Sequence, residues 1–282
     1  MGVADINSMT RRVERLAAQL VTDLVAQRGV PRSQAEALRL ARELHPEVKR
    51  LRNQVWRTYV EDLGQQMAAA RLRVRPARQA DYPLSATVDL VNRAVGLGED
   101  ENTAVAEFLD PVTKEVVRRR VSPYLVADEA AGMTQVVAGR ISASVARHAH
   151  AAGRAMVADT AMVGEVIDAG GRPRRAGFAR VLTGAESCGF CTMLASRGPV
   201  YKEDTALRRK DGRSYHDNCD CVSRLVVDGR PWEGQAEADA LYSRWKSVAY
   251  DGGTLAPDAL SRWNKHVRKM SPAALKKFSP IA

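Results

Sequence analysis

Cys188-Gly189-Phe190-Cys191 and, after 24 intervening residues, His216-Asp217-Asn218-Cys219-Asp220-Cys221 hold all four cysteines of the 282-residue chain. The spacing C-x2-C…H-x2-C-x-C suits tetrahedral zinc, which takes thiolate and imidazole donors. A C-x2-C knuckle turns two sulfurs toward one point, H-x2-C does the same from a second arm, and Gly189 suits a knuckle turn that needs positive φ. Five candidate ligands compete for four positions. Cys219 and Cys221 are two apart, so on a strand both point to one side. The favoured set is Cys188, Cys191 and His216 with one of Cys219 and Cys221. The alternative is all four cysteines without the histidine. On this reading the zinc is structural, and residues 178–230 fold only with metal, since such a site contributes roughly 10–16 kcal/mol of apparent binding energy.

Three other readings explain less of the pattern. A redox pair of the C-x-x-C kind belongs at the strand-to-helix junction of a βαβ unit, which the sequence does not suggest, and it leaves the second cluster unexplained. Two disulfides fit an exported chain better than this one. A metal-dependent nuclease built on His216 and Asn218 lacks a second suitable histidine nearby. No Ser/His/Asp or Cys/His arrangement and no phosphate-cradling glycine loop appears, so the expectation is a protein that is not an enzyme and takes no small-molecule substrate.

Outward from this stretch the chain reads as amphipathic helix. Val13, Leu16, Leu20, Val21 and Leu24 form one stripe over 8–28, closed by Gly29 and Pro31. Ser33 to Glu36 is a capping box opening a helix that should end at His45, because Pro46 disfavours helix in the residue before it. A further helix follows, with Val48, Leu51, Val55, Tyr59, Leu63 and Met67 as its stripe. Its exposed side carries Arg50, Arg52 and Arg57, and the arginines continue at Arg71, Arg73, Arg75 and Arg78.

Residues 81–102 read as a connector with a short helix, and a helix is expected from about 103. Asp110-Pro111 and Ser122-Pro123 mark turns or kinks. A long helix covers 123 to about 164. His148 and His150 lie on different faces of it and cannot share a metal. Past Gly170-Gly171 the pattern changes to short strands, at 178–182 and 222–227, then helices at 235–249 and 257–269 around an Asp251-Gly252-Gly253 turn.

The fold class expected is therefore mainly α with a small α+β C-terminal domain: a helical N-terminal region and a zinc-stapled C-terminal domain with short strands. The expected divisions are a basic helical region at 1–80, a helical region with one long helix at 81–170, and a zinc-binding α+β domain at 171–282 that ends in helices.

The net charge is +10. Residues 1–80 hold 15 Lys/Arg against 8 Asp/Glu, residues 81–170 hold 8 against 13, and residues 171–282 hold 20 against 12. Two basic ends around an acidic middle favour a polyanionic partner through counterion release. No charged start runs into an apolar core and no run of 18 apolar residues occurs. The expectation is a chain without a signal peptide and without a membrane partner.

Ser187 to Tyr201 (SCGFCTMLASRGPVY) with Tyr215 to Cys221 (YHDNCDC) resembles the MuF-like minor capsid proteins of tailed bacteriophages, in the form seen in actinobacterial phages. The wider family of head morphogenesis proteins carries C-x2-C, a short apolar and glycine stretch, then H-x2-C-x-C. The resemblance covers about residues 176–228. The common family form has proline after the histidine and arginine between the last cysteines. Asp217 and Asp220 stand there in this chain, with the ligand spacing intact. The resemblance implies a low-copy virion protein, made in the host cytoplasm. It would associate with the portal protein at the capsid interior, serve head assembly, and have packaged double-stranded DNA within reach.

Overall fold

A computed structural model describes residues 2–97, 104–109, 116–121, 130–183, 187–200 and 221–280. Helix α1 (Val3–Arg28) opens the chain. Its buried line is Val13, Ala17, Val21 and Val25, and the expected Leu16, Leu20 and Leu24 flank it half-buried. The buried face is thus centred one residue to the side of the leucines. Gly29 ends the helix with φ 78°, the left-handed conformation in which a side chain is disfavoured.

Helix α2 (Gln34–Ala69) corrects the sequence reading, because it runs through Pro46 as one 36-residue element. Proline removes one backbone donor and crowds the preceding turn. The buried line Leu40, Leu44, Val48, Leu51, Val55, Tyr59, Leu63 and Met67 is continuous on both sides of Pro46, and packing along it outweighs the lost hydrogen bond. The start is as expected in kind: Ser33 Oγ accepts from Glu36 N at 3.3 Å. The return bond differs, with Glu36 accepting from Arg32 N at 2.6 Å.

After α2 come β1 (Leu72–Val74) and α3 (Leu84–Ala94), the short helix expected in the connector. The helix expected from 103 is absent. An antiparallel pair stands there, β2 (Ala104–Leu109) with β3 (Val116–Val121), in register from Ala104↔Val121 to Leu109↔Val116. Val116, Val117 and Val121 are β-branched, and this preference prevails over the helical reading. The Asp110-Pro111 and Ser122-Pro123 signals lie outside the described residues. Helix α4 (Ala130–Val163) is the long helix expected.

Then β4 (Val166–Asp168), β5 (Pro173–Arg174), β6 (Ala176–Val181), α5 (Gly189–Ser196), β7 (Val222–Val227), α6 (Gln235–Ala249), β8 (Tyr250–Asp251), β9 (Thr254–Leu255), α7 (Ala259–Lys269) and a short α8 (Pro272–Lys276) complete the chain. Among the described residues all strand pairing is antiparallel, in four separate sheets: β1-β4-β5, β2-β3, β6-β7 and β8-β9. The protein is mostly helical with a few short antiparallel strands. No helix among the described residues is long and apolar enough to cross a membrane.

The chain forms two compact units. One comprises Met1–Arg11, Gln54–Gln79 and His150–Ala282; the other comprises Arg12–Asn53 and Ala80–Ala149. In the second unit Arg52, expected on an exposed face, is buried. Its Nη1 donates to His148 O at 2.6 Å, and its guanidinium lies 4.2 Å from the centre of the Tyr82 ring. Tyr82 in turn bonds His148 Nδ1 at 2.7 Å. Arg50 and Arg57 are exposed as expected.

In the first unit Gly153 of α4 faces Tyr59 of α2 so closely that a Cβ would lie 2.2 Å from the ring. An ionic network around buried Arg224 and Asp62 ties β7, α2 and α1 of this unit to the segment before α6. Arg224 of β7 pairs with Asp62 of α2, and its Nη2 lies 3.0 Å from Glu233. The Glu233 carboxylate accepts from Val3 N, at 3.0 and 3.1 Å, and so caps α1 from the segment before α6. Gln66 of α2 donates to Leu225 O at 2.8 Å.

His150 of α4 is 3% exposed. Burial, and then the Arg154 guanidinium, holds its pKa down at about 3. In the unfolded chain a histidine titrates near ~6.5. Between these values the unfolded state binds a proton that the folded state refuses. This contribution to stability is therefore present above the unfolded value and is lost as pH falls toward the folded one, by up to about 1.4 kcal/mol per pH unit. The urea midpoint is expected to fall between about pH 6.5 and 4.5, and His150→Phe should flatten that fall. An identical pH slope in the variant would assign the acid sensitivity elsewhere.

Candidate metal centre and its surroundings

The C-x2-C arm sits on the first turn of α5. Cys188 is the N-cap in extended backbone, and its Sγ accepts from Cys191 N at 3.3 Å. This amide hydrogen bond fixes the Cys188 sulfur at the N-terminus of the helix. Cys191 is buried on the same turn, and Cys221, immediately before β7, is also fully buried. All three belong to one packed cluster with Leu182, Met193, Leu194, Trp263 and Val267, in which Cys188 is half-buried. Arg180 of β6 places Nη1 at 3.9 Å from Cys221 Sγ, a positive charge beside a sulfur. Among the described residues no two cysteines are joined by a disulfide.

The structure thus brings together three of the five sequence-predicted ligands. His216 and Cys219 lie outside the described residues. Among the described residues no group of three or more His, Cys, Asp or Glu is disposed to hold a metal. The three thiols are donors of the kind that zinc takes, with an amide donor at Cys188 Sγ and a guanidinium near Cys221 Sγ.

What positions α5 was missed in the sequence. Trp263 of α7 is fully buried, and its Nε1 donates to Gly189 O and Thr192 Oγ, both at 3.0 Å. Trp245 of α6 packs edge-on to it at 5.3 Å. Gly189 is required for a different reason from the one expected. It is the first residue of α5 and is not among the glycines with positive φ. A Cβ there would lie 2.1 Å from Asn264 Oδ1 and 3.3 Å from Asn264 Cα. The glycine lets α7 close on the cysteine-bearing turn. Trp263 and Val267, four apart, were the available signal for a helix with one buried face.

The run after the knuckle is also explained. Ser196 ends α5, Arg197 is exposed, and Gly198 turns the chain with φ 65°. Val200 then pairs antiparallel with Phe178 of β6, through bonds of 2.8 and 2.9 Å. The cysteine pair follows a strand and opens a helix, as in redox proteins. However, β7 runs antiparallel to β6 from Ala176↔Val227 to Val181↔Val222, so no parallel βαβ unit is formed. His148 is engaged by Arg52 and Tyr82, and His150 is buried on α4.

A mostly helical chain with short antiparallel strands and a cysteine-bearing turn held by Trp263, which Trp245 backs, is the class these features define. The chain belongs to the VG15 protein family, whose description matches residues 3–248. It is also similar to the Gene 15 protein of Mycobacterium phage D29, with 29% identity over 127 residues, covering 36% of this chain and 46% of that relative. The match thus spans less than half the length of that relative. Together these matches indicate a bacteriophage protein. No solved structure matches.

Proposed function

We propose that the protein is a MuF-like minor capsid protein acting in head morphogenesis, associated with the portal inside the phage head, and held in shape by a structural zinc. The observation that carries this reading is family membership over most of the chain, including the whole C-x2-C…H-x2-C-x-C stretch. Cys188, Cys191, His216 and one of Cys219 and Cys221 would hold the metal. The zinc would supply cross-linking of the α5 turn to the chain before β7, and no chemistry on a substrate. The protein is a structural and interaction protein on this reading, with packaged double-stranded DNA as a second contact. Mass spectrometry of purified virions tests it: recovery in few copies, and co-purification of the full-length chain with the portal protein, are the expected results. Absence from virions would overturn the assignment.

A further inference from the structure

We infer that a cleft beside β1 is the surface that grips the phosphate backbone of double-stranded DNA, an inference that rests on the DNA-contact part of the reading above. The cleft has a volume of about 530 Å³ and is lined by Arg73, Arg75, Arg78, Thr160, Val163 and Glu165, among others. The three arginines are exposed, as is Arg71 just upstream. None of the four makes a side-chain hydrogen bond, ion pair or ring contact with the described protein. This distinguishes them from Arg52, Arg224 and Arg262, each engaged by the fold.

The backbone that carries them is fixed. Ala77 N donates to Thr160 Oγ at 2.8 Å, and Thr160, fully buried on α4, donates in turn to Met156 O at 2.6 Å. On the other side β1 is paired to β4, with Arg73 opposite Ile167. The nearby carboxylates do not neutralise the cleft. Asp168 is committed to its own turn, accepting from Gly170 N and Arg172 N at 2.9 and 3.0 Å. Glu165 is the single acidic lining residue against three guanidinium groups.

Rigidly based arginines facing an open cleft suit a phosphate ligand, because the guanidinium fork matches phosphate oxygens and loses little freedom on binding. Arg73 lies in β1 and Arg75 just beyond its end, two residues apart, a spacing of up to about 6.7 Å for extended chain. That is about twice the axial rise between phosphates of one DNA strand. The contacts are to backbone only, so binding is sequence-tolerant.

The test is binding of the full-length chain to a random-sequence duplex over a salt series. The cleft variant is Arg73→Gln/Arg75→Gln/Arg78→Gln, and the control is Arg11→Gln/Arg12→Gln/Arg15→Gln, with the same change in charge. The cleft variant is expected to reduce the slope of log affinity against log salt by about 2–3 and to weaken binding at least ~10-fold at low salt. The control should move the slope by less than about one. Equal effects of the two variants would sink the inference and leave DNA contact through general charge standing. No binding by the unmodified chain would remove the DNA-contact reading and the cleft with it. Competition by polyglutamate as effective as by DNA of matched charge would overturn the assignment to nucleic acid in favour of an acidic polypeptide.

Discussion

Cys191→Ser is expected to abolish zinc binding at the proposed site. Metal analysis of the purified full-length variant should fall from about one zinc per chain to near none. Cys191 is about 1% exposed and lies in an apolar cluster, so serine changes its volume little. Any loss of packing alone is small beside the roughly 10–16 kcal/mol of a structural zinc. That quantity is comparable to the whole stability of a domain, about 5–15 kcal/mol. Protease resistance at α5 and β7 should therefore collapse, while α1, α2 and α4 keep the helical signal. Treatment of the unmodified chain with a chelator should reproduce the variant. Unchanged zinc content in Cys191→Ser would count against the ligand set, and loss of fold without any zinc in the parent would reduce the cysteines to core packing.

Arg224→Met is expected to destabilise the protein by about 3–5 kcal/mol at pH 7, because Asp62 then remains buried without its partner. Burial already pushes the Asp62 carboxyl above its ordinary value, and Arg224 is the main influence holding it down. The sign follows from linkage. A raised folded pKa means that this group's favourable contribution is present below its unfolded value, near ~3.9, and is lost as pH rises through the folded one. Removing Arg224 raises the folded value further. The deficit of the variant should therefore be greatest at neutral pH and shrink on acidification as Asp62 takes up a proton. Urea unfolding at pH 7 and pH 4.5 measures both limits. The double variant Asp62→Leu/Arg224→Met should recover most of the loss, since an apolar pair of similar volume has no charge to strand. A deficit that stays constant with pH, or no recovery in the double variant, would mean that Arg224 acts through its packing.

Much of the helical layout could be read from the sequence because it rests on local periodicity. The stripe from Val48 to Met67, the strand Val222–Val227 and the helix Gln235–Ala249 are each fixed by the residues they contain. Features set by distant partners were not legible. Nothing near Val3 announces that Glu233 will cap it, and nothing near Arg52 announces a seat against Tyr82 and His148. Pro46 misled because its local cost is real but the buried line on either side outweighs it. Residues 104–109 misled because six residues are too few for a period of 2 to be told from one of 3.6. Around the cysteine-bearing turn the spacing of the cysteines is a local feature of the sequence, while the clamp by Trp263 and the steric demand on Gly189 come only with α7 in place.

The cap on α1 by a residue some 230 positions away constrains the order in which this protein can be made. The unit that contains it draws on Met1–Arg11, Gln54–Gln79 and His150–Ala282, so its core cannot close on the ribosome until Glu233 has emerged. Between Gln79 and Glu233 lie about 150 residues, which take roughly 8–30 s to synthesise at about 5–20 residues per second. Through that interval the apolar lower half of α2, from Val55 to Met67, has no finished partner. The unit of Arg12–Asn53 and Ala80–Ala149 can assemble first. Nascent chains stalled before β7 should accordingly be protease-sensitive and prone to chaperone capture, and slow translation upstream of residue 233 should lower the yield of folded protein.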